Sequence, residues 1–157
     1  MYAYEIFEEV KSEAEKQFRQ KGNAFVKECA DNFLYQLLNK EQLEEDEAID
    51  VLLGAFSSAA CNNGKITNLD YYTMLKVMDA RESEFTYDSF FDMMSKYNKQ
   101  AMRNSTVGHF QIFCYRDTAL AFIYYSISVA MIDGDVKERN ESYITSLCEV
   151  ARNRFDH

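Results

Sequence analysis

The residues of this chain with the types and spacing for chemistry gather at two places. Asp133, Asp135, Glu138 and Glu141 surround Gly134, and Asp70 follows Asn63-Gly64. Carboxylates grouped in this way are oxygen ligands for a hard divalent cation. The spacing resembles the second half of a calcium-binding loop, where glycine is followed two positions on by an aliphatic residue and six on by an acid. The first half of such a loop is missing. Its two earlier ligand positions hold Ala59 and Cys61 in one place, and Val129 and Met131 in the other. None of these carries a side-chain oxygen, so a complete calcium loop is excluded. A low-affinity or shared divalent-cation site can still be assembled from Asp133, Asp135, Glu138, Glu141 and Asp70, with no cofactor required. The same residues have a reading that needs no ion. Gly64 and Gly134 suit the left-handed residue just past a helix, Thr67 suits an N-cap, and Asp70 stands where the reciprocal acid of a capping box belongs.

Other chemistry has less support. Cys29, Cys61, Cys114 and Cys148 form no Cys-x-x-Cys pair, and His109 and His157 are the only histidines. A structural zinc site needs clustered ligands, which are missing. Each cysteine stands among apolar neighbours, which predicts buried free thiols and fits a reducing cytoplasm. A nucleophile needs a base beside it, and the one internal histidine, His109, stands next to Gly108. No glycine-rich phosphate loop is present. Tyr71-Tyr72 and Tyr124-Tyr125 can line a pocket, but aromatic pairs in a helical core mostly pack. The expectation is a protein that is not an enzyme.

Helices must position these groups. The chain has 157 residues, 47% of them hydrophobic and 15% aromatic, which suits one domain with a real core. It has no proline and only five glycines, too little turn punctuation for a β-rich fold. The expected fold is all-α: a single compact bundle of about seven helices around a buried central one. The formal net charge of -9 argues against direct nucleic-acid or anionic-membrane binding and permits basic partners or cations. The first residues lack an apolar h-region, so no signal peptide is expected.

Residues 119–136 organise the rest. No charge falls between Thr118 and Ile132, yet the run is short of the roughly 20 residues a membrane span needs. It reads as the central helix, closed by Asp133-Gly134. Residues 110–115 form its irregular lead-in. Before it, helices are expected over 2–20 (Phe7, Val10, Ala14 and Phe18 inward), 24–39 (Phe25, Cys29, Phe33 and Leu37 inward) and, opened by the acidic run at 41–50, to about residue 62 (Ile49, Leu52, Leu53, Phe56, Ala59 and Ala60 inward). Acids there oppose the positive end of the helix dipole. A fourth helix reaches about residue 80 with a stripe of Leu69, Tyr72, Leu75 and Met78. A fifth, capped by Thr86, reaches about residue 103, with Phe90, Met94, Tyr97 and Ala101 inward and Phe91 and Met93 beside them. Residues 137–155 form the last helix, with Ile144, Leu147, Cys148, Ala151 and Phe155 inward.

The pattern at Ala60, Asn63, Gly64 and Ile66 returns at Ala130, Asp133, Gly134 and Val136. Each copy follows an apolar helix and leads into an amphipathic one, which suggests two helix-turn-helix hairpins. Here the chain resembles the TerB-like family, which includes tellurite-resistance TerB proteins and the N-terminal domain of DjlA-type co-chaperones. That family carries Ala-Asp-Gly-x-(Ile/Val)-x-x-x-Glu at the turn. The second copy keeps Asp133 but has Asn140 in place of the glutamate. The first keeps an acid at Asp70 but has Asn63 before its glycine. The resemblance spans residues 46–80 and 117–155 and leaves 1–40 uncovered. It implies an all-α domain, a role in stress or envelope-linked complexes, and a metal association.

Two functions are expected on these grounds. One is a non-catalytic TerB-like interaction domain with an unidentified protein partner, loading a divalent cation between its turns. The other is an acidic inhibitor or decoy that occupies a basic, nucleic-acid-handling partner, motivated by residues 41–50 and the net charge.

Overall fold

The computed structural model describes residues 3–61, 66–103, 113–132 and 138–155, with side chains described over 9–60, 66–97, 113–132 and 141–155. Among them are seven helices and no strand: α1 (Ala3–Lys21), α2 (Asn23–Asn39), α3 (Glu45–Cys61), α4 (Asn68–Met78), α5 (Tyr87–Arg103), α6 (Arg116–Ala130) and α7 (Glu138–Phe155). The all-α expectation holds. No helix in the described residues is long and apolar enough to cross a membrane.

α6 is the axis of the bundle. It is surrounded by α2, α1, α3 and α7. Of its residues only Arg116, Asp117, Leu120 and Tyr124 are not buried. Its composition explains this. A helix apolar nearly all round has no face for water and belongs inside. Phe33 of α2 is the hub against it, with ring centroids 5.6 Å from Phe122, 5.8 Å from Tyr125 and 5.9 Å from Phe113. Small residues let the neighbours close in. Ala55, Ser57, Ser58, Ala59 and Ala60 of α3 are all buried, and α3 lies against both α5 and α6.

The two hairpins dock differently. α7 lies along α6, whereas α4 turns onto α2 and touches α5. The α1–α2 junction rests on Gly22, at φ +61°. A Cβ there would meet nothing, so the backbone angle alone calls for glycine.

Several inward assignments need correction. Leu69 and Tyr72 are each 52% exposed and Met78 41%. The buried face of α4 is instead Asp70, Tyr71, Thr73, Met74, Leu75 and Val77. Phe91 on α5 and Ile49 on α3 are also exposed. Cys29 and Cys148 are buried, but Cys114 is exposed. It stands in the extended lead-in to α6, where Phe113 is buried while Cys114 and Tyr115 face outward. Phe7, Cys61 and Ala101 lie outside the described side chains.

Candidate functional site

The cation residues come first. Asp70 is buried and closes the capping box of α4: Oδ2 accepts from the Thr67 N–H at 2.9 Å, and the Asp70 N–H donates to Thr67 Oγ1 at 3.3 Å. Ile66, just before it, packs on the core. Glu141 is on α7, where its Oε1 accepts from Lys11 Nζ at 3.0 Å and ties α7 to α1. These two acids are therefore engaged on different elements. Asn63, Gly64, Asp133, Gly134, Asp135 and Val136 lie outside the described residues, as does the Glu138 side chain. Among the described residues no three of His, Cys, Asp and Glu gather in a metal-binding group.

The acidic run divides. Glu45, Asp46 and Glu47 occupy the first turn of α3, where the helix dipole favours them. Glu41 does something else. Its Oε1 accepts from the Cys114 N–H at 2.6 Å, and its Oε2 from the Tyr115 N–H at 3.1 Å and Thr118 Oγ1 at 2.9 Å. Tyr115, the N-cap of α6, supplies no side-chain cap of its own. Glu41 is thus the cap of the central helix, delivered from the α2–α3 connection.

Inside, the hydroxyls of Tyr143, Ser126 and Ser58 meet among α7, α6 and α3. None makes a hydrogen bond of ordinary geometry, but Ser126 and Ser58 are near enough to temper the strong upward push of burial on Tyr143. Burial also pushes the Cys29 thiol up to about 12, with the Ser128 hydroxyl opposing it. A thiol so placed stays protonated at neutral pH and is no nucleophile. An open groove of about 470 Å³ beside α1 is lined by Glu9, Val10, Ser12, Glu13, Lys16 and Tyr124. Burial, then the nearby Glu13, raises the Tyr124 hydroxyl. His109 and His157 lie outside the described residues.

Among the described residues, exposed apolar side chains gather on the outer face of α4 and α5. Tyr71 stands at its centre, with ring centroids 5.4 Å from Tyr72 and 5.5 Å from Tyr87. Tyr87 in turn stacks on Phe91 at 6.5 Å. Tyr72 and Phe91 are exposed, Tyr87 is half-buried, and Leu69 lies one turn before Tyr72. The strip is firmly mounted. Tyr71 Oη donates to the Phe85 carbonyl at 2.6 Å. Tyr71 and Tyr87 both contact Phe90, and Phe90 contacts Phe56, which reaches Tyr125 and so Phe33. One chain of rings therefore runs from the hub of the core to the surface.

No family model, curated protein or solved structure matches this chain. The site's meaning rests on its own chemistry.

The rim of the strip is charged. Asp79, Glu82, Glu84, Asp88 and Asp92 are exposed around it, against Lys76, Arg81 and Lys96. Arg81 is already near Glu84, at 3.9 Å. Glu82 is close enough to add to the upward shift that burial imposes on Tyr71. Periodicity puts Tyr72 in the inward stripe of α4 and Phe91 beside that of α5, and it does not single out Tyr87; both Tyr72 and Phe91 are exposed. The capping box at Thr67 and Asp70 fixes where α4 starts, but its buried face is chosen by packing on α2.

Proposed function

We propose that this chain is a non-catalytic docking domain that engages a protein partner through the α4–α5 aromatic strip. One observation carries this reading: Leu69, Tyr72 and Phe91 are exposed, yet ring contact joins Tyr72 and Phe91 to the packed core. Exposed apolar patches with polar rims are a common mark of interaction surfaces. Aromatic anchors held by a rigid base lose little entropy when a partner covers them. The alternative of a reaction in the α1 groove has less support, because its lining pairs no nucleophile with a base. The TerB resemblance, with its stress or envelope-linked complexes, agrees with a binding role and is part of the same proposal.

A photo-crosslinking residue placed at Tyr72 or Phe91, compared with one at Tyr35 on α2, tests it in cells. Tyr35 is the control because it is an exposed tyrosine, 56% accessible, on α2 and not on either helix of the strip. Discrete adducts from positions 72 and 91, and none of the same mass from 35, are expected. Adducts identical at all three positions, or none at 72 and 91, would refute the strip as the docking face.

A further inference from the structure

We infer that the occupant of the strip is a cationic amphipathic helix, with an apolar stripe flanked by lysine or arginine; this rests on the docking reading above. Charge decides the sign. The rim carries five acids against three bases, Asp79, Glu82, Glu84, Asp88 and Asp92 against Lys76, Arg81 and Lys96, on a chain of net charge -9. Asp88 and Asp92 stand on the solvent side of Tyr87 and Phe91 along α5, so a ligand seated on those rings meets both carboxylates.

The same charges exclude other occupants. A second copy would bring an equal acidic rim against this one. An anionic bilayer or a nucleic acid would be repelled. Backbone decides the shape. The strip is built on two helices whose amides and carbonyls are used internally, so an extended peptide finds no free edge to pair with. A helix needs no such edge. Leu69 and Tyr72 on α4 and Phe91 on α5 offer exposed apolar anchors, with the half-buried Tyr87 stacked on Phe91. Residues at i, i+4 and i+7 of an amphipathic helix form an apolar stripe that such anchors can receive.

The test uses the full isotope-labelled chain and a synthetic leucine–lysine amphipathic peptide of about 18 residues, or five turns, with a leucine–glutamate peptide of the same pattern as control. The lysine peptide is expected to shift amide resonances of α4 and α5, and to weaken about tenfold between about 50 and 300 mM salt. Glu82→Lys with Asp92→Lys is expected to weaken it about tenfold, while thermal unfolding of that exposed pair stays unchanged. If the glutamate peptide binds the strip equally, or neither peptide binds, the cationic partner is wrong and the docking reading stands. If the lysine peptide binds but its shifts map to the acids at residues 41–50 and survive Tyr72→Ser with Phe91→Ser, both this inference and the docking reading fail. Self-association through the strip in sedimentation overturns the cationic helix in favour of a second copy.

Discussion

Glu41 is the residue on which the central helix most visibly depends. Its carboxylate takes two backbone N–H groups and a hydroxyl at the start of α6. Glu41→Ala leaves those donors to water and should cost about 1–3 kcal/mol in urea unfolding, with Glu41→Gln intermediate. Asp70 caps in the same sense but locally. Asp70→Ala should lose about 1–2 kcal/mol, and the loss should be equal in EDTA and in calcium if capping is its whole role. The contrast explains what was legible. Thr67 and Asp70 satisfy each other three residues apart, so a capping box can be read by eye. Glu41 meets partners at 114–118, and nothing local distinguishes it from the other acids of its run. Cys114 is a similar case: apolar neighbours in sequence do not say which residues of an irregular segment face the core, and here Phe113 does while Cys114 and Tyr115 do not.

At the scale of elements, α2 and α6 were readable and α4 was not. α2 has one apolar stripe, and Phe25, Cys29, Phe33 and Leu37 are all buried. α4 has apolar residues around most of its surface, so Leu69-Tyr72-Leu75 and Tyr71-Met74-Leu75 are both valid helical stripes. The neighbour α2 selects the second. Met74→Ala should therefore cost about 2–5 kcal/mol, because Met74 is fully buried. Leu69→Ala should change stability by less than about 0.5 kcal/mol. Chemical denaturation of the two variants separates the two phases. The strip exists because of this choice: packing one stripe inward leaves the other at the surface.

At the scale of the molecule, aromatic residues give the bundle both its interior and its outward face. Burial raises the hydroxyls of Tyr125 and Tyr143 well above the ordinary value, and burial with the adjacent Asp50 takes Tyr97 to about 12. An unfolded chain ionises its tyrosines near about pH 10. Above that pH the unfolded state gives up protons that the folded state still holds. Stability should therefore be insensitive to these groups below about pH 10 and fall as pH rises beyond it. Tyrosinate absorbance should appear together with unfolding. The central claim is that the α4–α5 strip is surplus to folding and kept for a partner. The most direct check is the urea midpoint of the triple variant Leu69→Ser, Tyr72→Ser, Phe91→Ser. Stability within about 1.5 kcal/mol of the parent is predicted, as for three exposed sites. A loss of about 3–5 kcal/mol, the size expected for Phe33→Ala in the core hub, would show that the strip holds the fold together and would contradict the account.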